Sequence, residues 1–271
     1  MPEPPPRFVT SADGTRIAVF SSGDGPPLIL VHGAAADHTT FRVIGPKLAE
    51  RFRVHAIDRR GRGASGDAAV YSIEREFEDV AAVARSVATG SGDAPDVVGH
   101  SFGGRVALGA ALADDRPIRR LVVYEGAPPA ADAPYQERDL PARLAAILAA
   151  RGPAALFETF LDEVVGMTPA DIDSYRANPV WPARVAAAPT IVRELEAEAS
   201  DAAGLDALGA VAIPVLQLLG GESLPAFRAA TEALDARLRD GRVVTIPGAR
   251  HAAHHTHPDR FVAEVEPFLA G

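Results

Sequence analysis

The chain has 271 residues, of which 47% are hydrophobic, and a formal net charge of −9 at neutral pH. This length accommodates one large domain with an insertion, and the mildly acidic balance provides no basic surface for nucleic acid or an anionic membrane. The sequence contains no cysteine, which excludes disulfides, thiolate catalysis and cysteine-ligated metal sites.

The hydropathy pattern indicates neither a targeting segment nor a membrane span. The start, MPEPPPRFVT, has no basic residues followed by an apolar stretch and no cleavage site. No apolar run in the sequence is long enough to span a bilayer. We therefore expect a cytoplasmic protein.

Short apolar runs alternate with helical patterns, which predicts an α/β fold: a mostly parallel, doubly wound sheet flanked by crossover helices. A turn at ADGT (12–15) precedes the first run. The predicted strands are Arg16–Ser21, Pro27–Val31, Arg53–Ile57, Asp96–Val98, Leu121–Tyr124, Ile213–Leu219 and Arg242–Ile246. Helical spacing of apolar residues predicts core helices over 72–89, Arg105–Ala113 and Pro258–Leu269.

Between the fifth and sixth predicted strands the alternation stops. Apolar residues at helical spacing continue over 140–164, and Thr168, followed by proline and an acid in the first turn, predicts a further helix start. The segment is too long for an ordinary connection. We therefore predict an all-helical insertion over 127–210, on a core domain formed by 1–126 and 211–271.

The run VVGHSFGG (97–104) places Ser101 where a predicted strand ends and a helix begins. Glycines two residues before and after the serine suit a very sharp turn, because bulk at those positions would strike the neighbouring strand or helix. The N–H groups at the start of the helix favour negative charge at the same point. This context predicts a nucleophile rather than a structural turn.

A serine hydroxyl is a weak nucleophile until a base takes its proton. The stretch PGARHAAHHTHP (247–258) offers four histidines, and His251 is preferred because it directly follows the last predicted strand. We expect His254, His255 and His257 to lie in a loop that faces solvent. No acidic residue is interleaved among these histidines, so a metal site is disfavoured; we expect no metal and no cofactor.

Four motifs occur in one order: His32-Gly33 after a strand, DRRGRGAS (58–65), the GHSFGG turn and the late PGARH. In this order the sequence resembles the α/β-hydrolase superfamily over nearly its whole length. The resemblance implies a helical cap at the insertion and an oxyanion hole formed by the backbone N–H groups of Ala34 and Phe102. Many relatives carry an aromatic residue where this chain has Ala34, so we expect more room beside the nucleophile.

The acidic member of the triad departs from the pattern of this superfamily. Many relatives have a glycine, two residues and then aspartate after the strand that follows the cap, but LLGGESLP (218–225) has Ser223 at that position and Glu222 one residue earlier. Glu125 ends the strand before the cap, at the sheet edge where catalytic groups gather. Some branches of the superfamily place a catalytic glutamate there. We favour Glu125 over Glu222, and a diminished Ser–His dyad is the third alternative.

A serine at position 101 argues against dehalogenases and epoxide hydrolases of this superfamily, whose nucleophile is a carboxylate. The resemblance therefore implies an esterase-like enzyme that cleaves a carboxylic ester or lactone through an acyl-enzyme. Thioester or C–C bond hydrolysis remains open, as does non-hydrolytic use of the fold as a ligand receptor or cofactor-free cyclase or lyase. The insertion predicts a mostly apolar small-molecule acyl substrate, with Arg59 and Arg105 in structural ion pairs and neither nucleic acid nor membrane as a partner.

Overall fold

The structure, a computed structural model, describes residues 5–271. The first four residues of the predicted core range, which also open the stretch MPEPPPRFVT, lie outside the described residues. Over residues 5–271, no helix combines the length and the apolar character that crossing a membrane requires.

One sheet organises the described part of the chain. Its strands are Arg7–Thr10 (β1), Arg16–Ser22 (β2), Pro27–Val31 (β3), Arg53–Ile57 (β4), Asp96–His100 (β5), Leu121–Tyr124 (β6), Val215–Gly220 (β7) and Gly241–Ile246 (β8). They lie in the order β1-β2-β4-β3-β5-β6-β7-β8. Strands β3 to β8 run parallel, while β2 pairs antiparallel with β1 and β4. The mostly parallel sheet that the sequence predicts is confirmed.

The central strands are buried on both faces, as expected where helices cover a parallel sheet. Neighbouring residues alternate between two hydrophobic clusters: Val97 belongs to one and Val98 to the other. Strand β7 begins at Val215, two residues later than predicted, because Pro214 has no N–H to donate to a ladder. Strand β1 was not predicted, since four residues of weak alternation give little signal.

The helices are Ile44–Leu48 (α1), Ile73–Ser91 (α2), Phe102–Ala110 (α3), Leu140–Arg151 (α4), Pro153–Glu163 (α5), Pro169–Arg176 (α6), Trp181–Ala187 (α7), Thr190–Ala197 (α8), Leu205–Leu208 (α9), Pro225–Asp235 (α10), Ala253–Thr256 (α11) and Pro258–Ala270 (α12). Helices α2 and α3 pack on one face of the sheet with α10, and α1 and α12 cover the other. This two-sided cover is the doubly wound arrangement.

The ends of two core helices have local causes. Helix α2 starts after Ser72, whose hydroxyl accepts a hydrogen bond from the N–H of Arg75, and it ends at Gly92 in the left-handed conformation with φ 84°. Helix α3 begins at Phe102 rather than at the predicted Arg105. The reason is that the chain reverses at a single residue after β5, so the helix starts at once.

Helices α4 to α9 occupy the stretch between β6 and β7 that the sequence predicts to be helical. Helix α6 has the predicted start: the hydroxyl of Thr168 accepts from the N–H of Asp171, whose carboxylate accepts from the N–H of Thr168. Helices α4 to α8 have their own hydrophobic cluster, which Ala35 from the loop after β3 joins, whereas α9 packs on the core of the sheet. Arg184 of α7 also pairs with Asp37 of that loop at 2.8 Å. The helices thus lie against the carboxyl edge of the sheet.

Candidate active site

Ser101 occupies the sharp turn between β5 and α3, with φ 54° and ψ −129°. A non-glycine residue in this region carries backbone strain of about 1–3 kcal/mol. The flanking glycines allow the turn: a Cβ on Gly99 would lie 2.5 Å from the Cα of Gly104, and a Cβ on Gly103 would lie 2.2 Å from the carbonyl oxygen of His32. The steric reason for the Gly-x-Ser-x-Gly pattern is therefore present here.

His251 and Glu125 lie in contact at the same edge. The Oε2 atom of Glu125 is 2.6 Å from Nδ1 of His251, and both residues are buried. An ionised carboxylate can only accept hydrogen bonds, so Nδ1 of His251 carries the proton in this pair. Nε2 of His251 takes no part in the contact with Glu125. Glu125, like the serine, has a left-handed backbone, with φ 46°.

Several contacts fix the loop that carries His251. Tyr124, the last residue of β6, donates to the carbonyl of Arg250 and accepts from the N–H of Ala253 at 2.9 Å. Nε2 of His100 lies 2.9 Å from the carbonyl oxygen of His251. The imidazole of His251 also stacks on Phe227, with ring centroids 4.6 Å apart. The hydrogen bonds thus fix the backbone on both sides of His251, and Phe227 contacts its ring.

The second oxygen of Glu125 accepts two further hydrogen bonds. Its Oε1 lies 2.7 Å from the backbone nitrogen of Gly220 and 2.5 Å from the hydroxyl of Ser223. Glu222, the alternative acid, is exposed at the surface. Of the two glutamates considered from the sequence, the structure brings Glu125 to His251 and leaves Glu222 facing water.

The loop after β3 approaches the serine closely, since a Cβ on Gly33 would lie 3.0 Å from the Cβ of Ser101. The carbonyl oxygen of Gly33 lies 2.8 Å from Nδ1 of His32 and accepts from Nη1 of Arg59 at 3.0 Å. Since the N–H of Arg59 donates to Nε2 of His32, the His32 proton is on Nδ1, which donates to Gly33. These donors fix the peptide whose N–H belongs to Ala34.

His32 remains neutral in this arrangement. Its burial and the charge of Arg59 hold the pKa of His32 well below its usual range. Arg59 also lies over the ring of Phe102, 4.6 Å from the ring centroid. Phe102 is the first residue of α3, where N–H groups have no intrahelical acceptor. Arg59 therefore contacts both segments to which the resemblance assigns the oxyanion hole: the carbonyl of Gly33, in the peptide whose N–H belongs to Ala34, and the side chain of Phe102.

An enclosed cavity of about 40 Å³ joins these residues, with Ser101, Glu125 and His251 in its wall. Its apolar lining comes from Ala34, Phe102, Phe160, Val164, Val165, Leu195 and Phe227. Its polar lining includes Arg105, Gln136, Glu194 and Glu198. Most of the accessible lining is apolar, in line with the sequence prediction, and the glutamates of α8 and the residue after it that line the cavity are paired with arginines.

The arginines singled out from the sequence are engaged in ion pairs, as predicted. Arg59 binds Glu76 at 2.7 Å and also contacts Glu194. Arg105 pairs with Glu198 at 2.8 Å, and burial raises the pKa of Glu198 above its usual value. The pairs Arg59–Glu194 and Arg105–Glu198 link core elements to α8 and to the residue after it, beside the cavity.

The histidines after His251 differ from the expectation of a solvent-facing loop. That expectation is wrong for His254, which is 2% exposed, within α11, with its ring centroid 4.4 Å from that of His100 and 4.2 Å from that of His255. The short helix turns this side chain toward the core. Over residues 5–271, no group of three or more potential ligands is arranged to hold a metal ion.

A strained serine at a strand–helix turn, with a Glu–His pair at the carboxyl edge of a parallel sheet, defines the class of α/β hydrolases. Comparison with known proteins agrees: a model of the alpha/beta hydrolase family matches residues 28–264, and the chain belongs to this family. Its family and its relatives identify it as a hydrolase.

Curated relatives span almost the whole chain. A pimeloyl-(acyl-carrier protein) methyl ester esterase of Nitrosomonas europaea is 26% identical over 258 residues, covering 91% of this chain and 97% of that enzyme. A 2-(acetamidomethylene)succinate hydrolase of Mesorhizobium japonicum is 28% identical over 261 residues, covering 93% and 90%. The crystal structure of an alpha/beta hydrolase from Sphaerobacter thermophilus is 34% identical, with a TM-score of 0.77 over 88% of this chain and 91% of that one.

Two contacts of the site go beyond what the sequence predicts. Ser223 donates to Glu125, and the position of this serine in the pattern Gly-x-x-Asp was the signal that could have revealed the role. Arg59 donates to the Gly33 carbonyl, whereas the sequence offered only an ion pair for this residue. Both contacts join segments that are distant in sequence.

Proposed function

We propose that this hydrolase cleaves a carboxylic ester or lactone, with Ser101 as nucleophile, His251 as base and Glu125 as acid. One observation carries the proposal: Oε2 of Glu125 lies 2.6 Å from Nδ1 of His251, in the wall of the cavity that Ser101 also lines. A carboxylate on Nδ1 fixes the tautomer in which Nε2 can accept a proton. The pair therefore equips the imidazole to activate a serine.

In the first step the hydroxyl oxygen of Ser101 attacks the substrate carbonyl while Nε2 of His251 takes the hydroxyl proton. The imidazolium that forms is stabilised by the charge of Glu125. The negative carbonyl oxygen accepts hydrogen bonds from the N–H groups of Ala34 and Phe102. Losing one such donor typically costs about 2.7–4 kcal/mol of barrier.

In the second step the C–O bond to the leaving group breaks, and His251 returns its proton to the departing alkoxide. Water then repeats the sequence on the acyl-enzyme: His251 takes a proton from water, hydroxide adds to the acyl carbon, and the bond to Ser101 breaks. The acid leaves and the serine hydroxyl is restored. For a lactone, alcohol and acid stay in one molecule.

The enclosed space supports a small acyl group. A volume of about 40 Å³ equals roughly three water molecules, at ~10–15 Å³ each on the same measure. Short acyl chains, from acetyl to butanoyl, fit this space, and the mostly apolar lining suits an unsubstituted chain. We propose that the helices over residues 127–210 act as the cap that encloses this group.

One relative, a methyl ester esterase, supports ester chemistry, and another is a hydrolase of 2-(acetamidomethylene)succinate, which carries an acetamide. The non-hydrolytic alternative depended on the absence of an acid after β7. The contact between Glu125 and His251 supports an acid from the end of β6 instead. Esters and lactones are preferred over C–C bonds because an alkoxide leaving group needs only the proton of His251, whereas a carbon leaving group must also be stabilised as a carbanion.

The test combines a probe with a substrate panel. A fluorophosphonate should leave a single adduct, and mass spectrometry should place it on Ser101. Among p-nitrophenyl esters, kcat/KM should peak between acetate and butanoate and fall for octanoate, and lactones and thioesters should be run in parallel. No adduct and no turnover on any member would overturn the proposal.

A further inference from the structure

Ser223 lies in a turn built against the end of β8. The N–H of Gly221 donates to the carbonyl of Ile246, and the N–H of Glu222 donates to that of Ala249, both at 2.9 Å. The N–H of Ser223 closes the turn on the carbonyl of Gly220 at 3.2 Å. Backbone hydrogen bonds therefore fix where the Ser223 side chain starts.

The turn leaves space for the Ser223 hydroxyl because residue 220 is a glycine. A Cβ on Gly220 would lie 2.5 Å from this hydroxyl oxygen and 2.6 Å from the carbonyl oxygen of Ala249. A side chain at 220 would thus displace the hydroxyl from the position where it donates to Glu125. The glycine and the serine together form the pocket for one carboxylate oxygen.

The two oxygens of the buried Glu125 carboxylate have different partners. Oε1 accepts from Gly220 and Ser223, and Oε2 faces Nδ1 of His251. A glutamate side chain has more rotatable bonds than an aspartate, so it needs more contacts to hold one orientation. Hydrogen bonds to a charged acceptor are the strong ones. The two donors on Oε1 supply that orientation.

We propose that Ser223 is a positioning residue for the triad acid, acting through Glu125 rather than on substrate. Its hydroxyl holds Oε1, and the carboxylate then presents Oε2 to the imidazole. Many relatives have the acid itself at the position of Ser223. In this chain Ser223 instead donates a hydrogen bond that orients Glu125, an acid at the end of another strand. The inference rests on the proposed function of Ser101, His251 and Glu125.

The experiment compares Ser223→Ala, Ser223→Thr and the matched control Ser22→Ala, which alters an exposed serine at the end of β2. We expect Ser223→Ala to lower kcat about tenfold, which corresponds to the loss of one charge-assisted hydrogen bond. The KM should stay within twofold of wild type. Ser223→Thr keeps the hydroxyl and should stay within threefold of wild type. The control should be unchanged.

A spectroscopic signature separates positioning from packing. The Nδ1 proton of His251, shared with Glu125, should give a downfield proton resonance that changes in Ser223→Ala and is kept in Ser223→Thr and Ser22→Ala. Circular dichroism and melting temperature establish that each variant is folded. Equal losses in the alanine and threonine variants would mean that packing is responsible and would overturn the proposal.

Two further variants distinguish this inference from the proposed function. If Ser101→Ala and Glu125→Gln retain full activity, the proposed function fails. If both lose activity while folded Ser223→Ala keeps the kcat and the resonance of wild type, only the positioning role of Ser223 fails.

Discussion

Glu125 and His251 are 126 positions apart in the chain, and their side chains meet at 2.6 Å. They meet because β6, β7 and β8 are parallel neighbours, so that the loops at their carboxyl ends share one edge of the sheet. Glu125 follows β6, Ser223 follows β7, and His251 follows β8. The order of three strands thus brings together the proposed acid, the donor to its carboxylate and the proposed base.

Replacement of the nucleophile should abolish turnover without unfolding the chain. For Ser101→Ala we expect a loss of kcat of at least about 10³-fold on p-nitrophenyl acetate, because only the oxyanion donors and binding remain. Circular dichroism should match the wild type, since the change removes one oxygen. A folded variant with near-normal turnover would refute the nucleophile assignment.

The identity of the acid predicts an ordering of two glutamine variants. Glu125→Gln preserves shape but removes the charge that stabilises the imidazolium, and we expect at least about a hundredfold loss of kcat, or roughly 2.7 kcal/mol of barrier. Glu222→Gln changes an exposed side chain and should have little effect. The reverse ranking would return the acid to the loop after β7.

His251→Ala should cost about as much as Ser101→Ala, because nucleophile and base act as a unit and either loss disables both. The matched control is His257→Ala, six positions later, where Nδ1 lies 2.9 Å from the hydroxyl of the neighbouring Thr256. We expect that variant to stay within about threefold of wild type in kcat/KM. Comparable losses in both variants would show that the wrong histidine has been assigned as base.

A carboxylate at position 223 should be harmful in the wild-type background. Ser223→Asp would bring a second carboxylate against Oε1 of Glu125, where a donor now lies at 2.5 Å, and two carboxylates so close cannot both ionise. We expect at least a tenfold loss of kcat at neutral pH on the scale of one lost charge-assisted hydrogen bond. The same change in Glu125→Gln should raise activity above that of Glu125→Gln alone. A double variant no better than Glu125→Gln would contradict the proposed geometry of the loop.

Acid should destabilise the fold through His254. Burial, and then the neighbouring His100, His255, His251 and Arg42, hold the pKa of His254 well below 6.5. Below pH 6.5 the unfolded chain therefore binds a proton that the folded chain does not. The contribution of His254 to stability is fully present above that pH and is lost as the pH falls toward the pKa of the folded state.

Urea unfolding at a series of pH values measures this effect. In the window from pH 6.5 to 5, His254→Leu should reduce the slope of unfolding free energy against pH by about 1.4 kcal/mol per pH unit, the value for one proton. Unfolding is measured rather than activity, because turnover also depends on the residues of the candidate active site. An unchanged slope would show that His254 is not held neutral.

Much of the fold is predictable from the sequence because its signals are local. Uninterrupted apolar runs such as Pro27–Val31 and Leu121–Tyr124 mark buried strands, and the predicted bounds match the structure there. The glycines around Ser101 report a steric limit within five residues of chain. The position of His251 directly after the last strand was equally a local feature. Each of these signals can be recognised from residues that are near neighbours in the chain, even where the contact that enforces it, such as that of Gly103 with His32, is distant in sequence.

The sequence by itself determined the class of fold, and it proposed a candidate nucleophile and a candidate base, with two glutamates as candidate acids and a Ser–His dyad as the third alternative. Only the tertiary structure decided that Glu125 reaches His251, that Ser223 donates to it, and that His254 is buried. These outcomes depend on which strands lie side by side and on how far two loops approach each other. A distance of 2.6 Å between residues 126 positions apart is a product of strand order and packing, which no local pattern specifies.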